Sequence, residues 1–409
     1  MRSLPTGRIL QLGLGVLILL YGISIADPAA MRLMIFGLTL YALPLFLQVL
    51  KSPLVRAYAL WFGVFMVAQG VLTPVLLGDS VNLYHHVPNM VRILDAKAGV
   101  FAGGTGEQRT TTDELGFRVV PRVNYGRPAD LRIFAIGGST TEEFSINDQE
   151  TWTPRVQEAL TKETSRHVEV INTGTSGALS QNHIATLQYI APLHPDIALF
   201  LMGANDWNFD THREFGSNIQ RRTWLSFVDT PLGRLARTTF YRNFGSTKTA
   251  IVRADFIPPG GSLKRERKVT WFPDRVSDRY LDNLKRIAGI CRERNIVCVF
   301  MTQPSGYQPN APERLKDMFW MTPPAASYTL TFESLVRVAE VYNRALMEFG
   351  AEEGFAVCDL AAQMEASTEN FTDEMHFSFK GSARVAEAVT ACLRRVIARA
   401  AAQGSSDAR

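Results

Sequence analysis

The sequence predicts an α/β fold, in which helices cover both faces of a parallel sheet, preceded by three transmembrane helices. Strand-like apolar runs alternate with helical stretches about five times between residues 131 and 400. Parallel strands need a crossover between them, so this alternation is typical of a parallel sheet. Three long apolar runs in the first 80 residues indicate the membrane helices. Small and polar residues cluster where the strands end, which is where such sheets bind ligands.

The predicted strands are short apolar runs bounded by glycine or polar residues. They cover residues 131–136, 168–171, 197–202, 296–301 and 355–358. Helices are predicted over residues 152–163, 181–190, 281–294, 335–353 and 380–400. Together these segments define a soluble domain from residue 131 to residue 400.

The membrane anchor is predicted from apolar runs at residues 9–26, 33–50 and 58–77, none of which contains Asp, Glu, Lys or Arg. A helix of that length spans the roughly 30 Å hydrocarbon core of a bilayer. Cleavage of the first run as a signal peptide would still leave two spans. Without internal charges the spans indicate an anchor rather than a transport pathway. Residues 1–80 are therefore predicted to form a three-helix membrane anchor.

Charges beside the spans predict the orientation of the chain. Arg2 and Arg8 precede the first span, and Lys51 and Arg56 lie between the second and third. The positive-inside rule then puts the N-terminus and the loop between the second and third spans in the cytoplasm. We therefore expect a multi-pass protein of the inner (cytoplasmic) membrane, with the soluble domain on the periplasmic, extracytoplasmic side.

The remaining segments carry weaker patterns. Residues 81–130 have little periodicity and are predicted as a linker or strap, and residues 401–409 as a disordered tail. Residues 206–275 are too long for a plain connection and carry an excess of Lys and Arg. We interpret them as an insertion, either a solvated surface with short helices or a lid that contacts an anionic glycan or lipid headgroups.

The composition excludes some classes of function. The formal net charge is only +4, and no basic run with interleaved aromatics is present, so nucleic acid is not expected as a partner. The four cysteines show no CxxC spacing, which argues against a zinc site: Cys291, Cys298, Cys358 and Cys392. They are interpreted as small buried apolar residues, although one disulfide is possible in an extracytoplasmic domain.

Ser139 is the candidate nucleophile. It follows a predicted strand in the sequence Gly137-Gly138-Ser139-Thr140, where glycines relieve backbone crowding. A serine there can present its hydroxyl outward and offer its own N–H to an oxyanion. The sequence is not G-x-S-x-G, so the turn of the α/β-hydrolase fold is not indicated.

Asp373 and His376 supply a candidate general base. In a helical turn, residues three apart project to the same side, so both could approach one serine. The carboxylate would orient the imidazole, which would take the proton of the hydroxyl. The other histidines are interpreted as structural or solvent-exposed, because none has a ligand-like spacing with a carboxylate.

Asn205 and Gly177 are candidate donors to an oxyanion. Asn205 follows the third strand of the domain, and a side-chain amide there can donate a hydrogen bond. Gly177 lies in Asn172-Thr173-Gly174-Thr175-Ser176-Gly177 and could contribute a backbone N–H. That sequence could equally be a simple turn between a strand and a helix.

Taken together, these motifs resemble the SGNH (GDSL-like) hydrolase family over about residues 130–400. The family's ordered blocks match Gly137-Gly138-Ser139, Gly177, Gly203-Ala204-Asn205-Asp206, and the pair Asp373 and His376. Gly138 stands where many members have Asp. The resemblance implies a three-layer α/β/α sandwich of the flavodoxin-like kind and a triad of Ser139, Asp373 and His376. It also implies an oxyanion hole of Ser139, Gly177 and Asn205, and no metal or organic cofactor.

Three functions remain open. The first is an esterase that removes acetyl-like O-acyl groups from a glycan or lipid of the cell envelope. The second is an O-acyltransferase with the same triad, which would modify an exported polysaccharide and need a donor or partner protein. The third is a non-catalytic glycan-binding module, which would not require a nucleophile aligned with a base. The surface that recognises the substrate is expected in residues 206–275 and 302–333.

Overall fold

The computed structural model describes residues 83–86, 88–96, 106–216, 250–254 and 260–406. The chain divides into two compact units, and all of these residues belong to the unit formed by Asn82–Arg222 and Thr238–Arg409. Within these ranges no helix combines the length and the apolar character required to cross a bilayer. The three predicted transmembrane helices lie outside the described residues.

The strands are labelled in chain order. They are β1 (Met90–Ala96), β2 (Gly106–Thr111), β3 (Leu131–Gly137), β4 (Val168–Asn172), β5 (Ile197–Leu201), β6 (Ala250–Ala254), β7 (Arg267–Val269), β8 (Val297–Met301), β9 (Pro324–Ala325), β10 (Tyr328–Leu330) and β11 (Ala356–Cys358). The helices are α1 (Ser139–Glu142), α2 (Trp152–Thr164), α3 (Ser180–Ile190), α4 (Ala204–Glu214), α5 (Asp278–Arg294), α6 (Glu313–Lys316), α7 (Phe332–Glu353) and α8 (Phe379–Ser406).

A five-stranded parallel sheet forms the centre of the domain, in the order β11-β8-β5-β3-β4. Every residue of β4 and β5 is buried. Strands buried on both faces are mostly apolar instead of alternating, which is why these strands are visible in the sequence. Glu169 in β4 is an exception, and it is paired with Arg132 of β3. The predicted α/β fold with a parallel sheet is confirmed.

The order of the strands determines where the helices lie. The connection from β3 leads to β4 on one side, whereas the connections from β4, β5 and β8 all lead in the opposite direction. Because such crossovers are right-handed, α2 covers one face, and α3, α5 and α7 cover the other. Helix α8 packs against α2, and α3 packs against α5. The direction of the connections therefore reverses between β3 and β5, and a crevice opens there beyond their carboxyl ends.

The segment predicted as a linker contains ordered structure. Strand β1 pairs with β2 antiparallel and with β6 parallel. Val91 and Leu94 are buried, and so are Phe117 and Arg118. The Arg118 guanidinium donates to the carbonyls of Glu142, Glu143 and Ile146, so the segment is attached to the region that follows β3. The sequence pattern missed this because a buried arginine interrupts the apolar residues.

The predicted insertion and tail also differ from the structure. Residues at the start of the insertion belong to α4, and its later part contributes β6 and β7. A second small sheet has the order β7-β10-β9. Residues 217–249 and 255–259 lie outside the described ranges. The final helix continues to Ser406, so residues 401–406 are not a disordered tail. The alanines at positions 398 and 400–402 favour continuation of the helix into this stretch.

The cysteines form two disulfides, Cys291–Cys298 and Cys358–Cys392. The interpretation of four unpaired apolar residues is therefore wrong, although all four side chains are buried. The first bridge joins α5 to β8, and the second joins β11 to α8. The pairing depends on which helix packs beside which strand, and the spacing in the sequence does not give that.

Candidate active site

The crevice between β3 and β5 holds the candidate nucleophile. Ser139 begins the short helix α1 directly after β3, and 9% of its surface is exposed. A side chain at Gly137 would place its Cβ 2.1 Å from Thr141 Oγ1 and 2.6 Å from the carbonyl oxygen of Leu201. A Cβ on Gly138 would lie 2.5 Å from Asn205 Nδ2. The two glycines therefore let the strand turn sharply beside Asn205, and the Asp found in many family members would displace its amide.

Asp373 and His376 lie in a loop before α8, not in the helical turn predicted from their spacing. A single bridge between Phe371 and Phe377 closes this loop. Asp373 Oδ1 accepts hydrogen bonds from the backbone N–H groups of Met375 at 2.9 Å and His376 at 2.8 Å. The aspartate thus builds the turn that carries the histidine, as Asp side chains commonly do in turns.

The structure brings the three predicted triad residues together. His376 Nδ1 lies 2.7 Å from Asp373 Oδ2, and His376 Nε2 lies 2.8 Å from Ser139 Oγ. All three side chains are buried. In a neutral imidazole protonated on Nδ1, that N–H donates to the carboxylate and Nε2 accepts the serine hydroxyl. This is the arrangement needed for general-base activation of a serine.

Electrostatics favour an ion pair between the histidine and the aspartate. Burial raises the pKa of Asp373, but the His376 ring and the backbone N–H groups outweigh it and hold this pKa below its usual value. Burial likewise lowers the pKa of His376, but Asp373 and the charges of Glu374 and Glu142 outweigh it, so the pKa is raised. A base with a raised pKa is a stronger proton acceptor once it is neutral.

Sequence reasoning missed two residues that contact the triad loop. Trp320 Nε1 donates to Asp373 Oδ2 at 2.9 Å, the same oxygen that faces His376. Glu374 is fully buried, and its carboxylate accepts the backbone N–H groups of Trp320 at 3.0 Å and Met321 at 2.8 Å. Burial raises the pKa of Glu374 to about 8. Glu374 therefore holds the segment that places the indole, and no spacing in the sequence connects positions 320 and 373.

Asn205 and Ser139 both line a small cavity at the ends of β3 and β5. Its volume is about 10 Å³, and Ala178, His183, Met202 and Gln303 are among its other lining residues. Asn205 Nδ2 donates to the carbonyl of Ala178 at 2.9 Å, which leaves its second amide hydrogen for another acceptor. The amide therefore has one hydrogen that could serve an oxyanion.

Gly177 lies on the turn before α3, next to Ala178, and its φ of +79° is in the left-handed region that favours glycine. The residue is exposed, and it is Ala178 rather than Gly177 that lines the cavity. Its assignment as an oxyanion donor stays a prediction from the family resemblance.

Asp206 is the last residue of the Gly203-Ala204-Asn205-Asp206 block, and its contacts indicate a role in stabilising the fold. It is fully buried, accepts the Ser180 hydroxyl at 2.6 Å, and lies 2.9 Å from an Arg279 guanidinium nitrogen. It therefore connects α4 to the start of α3 and to α5.

His183 is buried beside the cavity, and burial lowers its pKa to about 3, so its imidazole is neutral at physiological pH. In the described part of the chain, no group of three or more His, Cys, Asp or Glu side chains is arranged to hold a metal ion.

Residues 135–384 match the GDSL-like lipase/acylhydrolase family. The chain belongs to this family. The match covers more than half of the 409 residues and includes every residue of the site described above. The chain is accordingly a serine ester hydrolase of the GDSL-like, or SGNH, kind. A comparison of the sequence with curated proteins finds no match.

Several solved structures resemble this member of the GDSL-like family. LAE5, an alpha/beta hydrolase enzyme from the metagenome of Lake Arreo, is 13% identical, covers 66% of this chain and 97% of its own, and has a TM-score of 0.39. The psychrotrophic esterase EstA from Pseudoalteromonas is 11% identical, with 66% and 99% covered and a TM-score of 0.36. The acetyl xylan esterase AlAXEase is 11% identical, with 63% and 98% covered and a TM-score of 0.36.

Proposed function

We propose that this GDSL-like hydrolase removes short, acetyl-like acyl groups from a glycan or lipid of the cell envelope, through an acyl intermediate on Ser139. The observation that carries the proposal is the continuous chain of contacts from Asp373 through His376 to the Ser139 hydroxyl. A binding module would not need a buried base aligned with a hydroxyl, so this chain of contacts favours catalysis over glycan binding alone.

The reaction follows from the positions of these groups. Ser139 Oγ attacks the ester carbonyl while its proton passes to His376 Nε2, and Asp373 stabilises the imidazolium. The negative oxygen accepts hydrogen bonds from Asn205 Nδ2 and from the N–H groups of Ser139 and Gly177. The C–O bond of the ester then breaks, and the imidazolium gives its proton to the departing alcohol. Water repeats the sequence on the acyl-serine and releases the acid.

The size of the cavity supports a short acyl group. A volume of about 10 Å³ is close to the space of one water-sized sphere. Ser139 lines this cavity, so we place the acyl group in it. A methyl group is close to that size, so we expect acetyl esters to be favoured over esters of longer acids.

Chain-length dependence tests the proposed acyl group. With p-nitrophenyl esters and the purified full chain in detergent, we expect kcat/KM for acetate to exceed that for octanoate at least ~100-fold, since forcing extra methylenes into a packed site costs about 1–3 kcal/mol. The ratio for acetate over butyrate should be smaller. Equal or higher kcat/KM for octanoate would contradict the proposal. Repeating the assay with an added glycan distinguishes acyl transfer from hydrolysis. In acyl transfer the acyl group would appear on the glycan, whereas in hydrolysis it would be released as the free acid.

We further propose that the hydrolase domain lies on the extracytoplasmic side of the inner membrane. Three apolar runs and the flanking arginines and lysines support this topology. The two disulfides also support it, because disulfides persist in oxidising compartments and are rare in the cytosol.

A fusion of alkaline phosphatase after residue 90 tests the topology. The phosphatase folds only when exported, so we expect an active fusion in bacterial cells. A matched fusion after residue 54, in the loop predicted to be cytoplasmic, should be inactive. The reverse pattern would place the hydrolase domain in the cytoplasm.

A further inference from the structure

Glu142 is a buried carboxylate close to the nucleophile that the proposed reaction does not use. It ends helix α1, which begins with Ser139, and no part of its surface is exposed. One carboxylate oxygen, Oε1, lies 3.0 Å from His86 Nε2 and 3.1 Å from Arg92 Nη1. The other, Oε2, accepts the Ser176 backbone N–H at 2.6 Å and the Ser176 hydroxyl at 2.5 Å.

These contacts join the nucleophile helix to the turn that carries the predicted oxyanion donor. Ser176 directly precedes Gly177, so Glu142 holds this turn through a backbone and a side-chain hydrogen bond. The turn and α1 also touch directly, since a Cβ on Gly174 would lie 2.3 Å from the Glu142 backbone nitrogen. The Glu142 carboxylate therefore fixes the spacing between Ser139 and Gly177.

The charge on Glu142 depends on the segment before the hydrolase domain. Burial raises the pKa of Glu142, but His86, Arg92 and Ser176 outweigh it and hold this pKa well below its usual value. Without His86 and Arg92 the buried carboxylate would lose both side chains that lie beside its Oε1 atom. Both residues belong to residues 83–96, which lie in the predicted linker.

We propose that Glu142 is a positioning residue for the esterase reaction and that His86 and Arg92, from the segment before the hydrolase domain, support it in this role. This inference rests on the proposed function of Ser139. Glu142 contacts the turn and acts on the reaction through it, and its negative charge also acts on the His376 imidazole. His376 additionally faces Asp373 and Glu374, and both side chains stay in place when Glu142 is replaced.

The test is Glu142→Gln in the purified full chain, assayed with p-nitrophenyl acetate. Glutamine keeps the shape but loses the charge, and its single amide oxygen cannot accept from His86, Arg92 and Ser176 at once. We expect kcat to fall ~10- to 100-fold with KM changed much less, since a misplaced reacting group costs up to about 10²-fold. The acid limb of kcat/KM should also move to lower pH, because a neighbour that raises the pKa of His376 is removed.

Two further variants separate positioning from folding. Arg92→Gln should lower kcat by a smaller factor without moving the acid limb to lower pH, because Glu142 keeps its negative charge. Arg109→Gln, at an exposed position of the same small sheet, should change neither kcat nor the acid limb. If Glu142→Gln does not fold, as judged by circular dichroism, Ser176→Ala replaces it. That variant removes one hydroxyl donor and keeps the backbone one, so a loss of kcat in the folded protein is still expected.

Two outcomes would overturn the inference in different ways. A folded Glu142→Gln variant with wild-type kcat and pH profile would show that the carboxylate has no positioning role, while the esterase function would stand. Failure of a fluorophosphonate to label Ser139 in the wild-type chain would instead overturn the proposed function, and this inference with it.

Discussion

Replacing Ser139 with alanine is expected to lower kcat for p-nitrophenyl acetate at least ~10³-fold. The change removes the hydroxyl that lies 2.8 Å from His376 Nε2, so no acyl intermediate can form. Ser139 is the first residue of a short helix. Alanine is well tolerated in helices, so the fold should be retained. Steady-state kinetics and thermal melting of the purified chain measure both effects.

The matched control for the nucleophile is Ser327→Ala. Ser327 is exposed in the turn between β9 and β10, and its replacement should leave kcat unchanged. A Ser139→Ala variant as active as this control would exclude Ser139 as the nucleophile. The residual activity of a true nucleophile variant should come only from the oxyanion donors and substrate binding.

Asp373→Asn is expected to have the second large effect, a loss of kcat of about 10⁴-fold. In the wild type, one carboxylate oxygen of Asp373, Oδ2, accepts hydrogen bonds from both His376 Nδ1 and the Trp320 indole N–H. An asparagine that turns its NH₂ group toward these donors cannot accept either hydrogen, and the imidazole then loses its orientation. Asp282→Asn, at an exposed position on α5, is the matched control and should keep wild-type activity.

The pH profile gives this variant a second readout. The base must be neutral, so wild-type kcat/KM should fall as pH decreases through the pKa of His376, which lies above the ordinary histidine value. Above that pKa the rate should reach a plateau. Removing the Asp373 charge lowers the pKa of His376, so the acid limb of the residual activity should move to lower pH. An unchanged limb would show that His376 is not the group that titrates.

Much of the fold was predictable from the sequence because the central strands are buried on both faces. Every residue of β4 and β5 is buried, and β5 appears as one unbroken apolar run, whereas β4 also contains Glu169 and Asn172. Ser139 follows β3 and Asn205 follows β5, and neighbouring parallel strands must bring their ends together. The sequence therefore predicted which residues meet at the crevice without giving any distance between them.

The remaining parts of the site depend on contacts that no local pattern records. Trp320 and Asp373 are 53 residues apart, and their hydrogen bond arises only when two loops pack together. Glu142 would be expected on the surface, because glutamates are rarely fully buried unless they are paired. Its partners lie in residues 83–96, whose pattern was too weak to predict a strand. The spacing of Asp373 and His376 fits a helical turn equally well, and only the backbone shows a loop.

Covalent trapping tests the central claim most directly. The full chain is mixed with p-nitrophenyl acetate, quenched in acid within the first turnovers, digested and mapped by mass spectrometry. We predict one acetyl group, located on Ser139 and absent from the Ser139→Ala variant. Rapid ester cleavage with the acetyl group on another residue, or with no covalent adduct during a burst of p-nitrophenol, would contradict an acyl-serine mechanism.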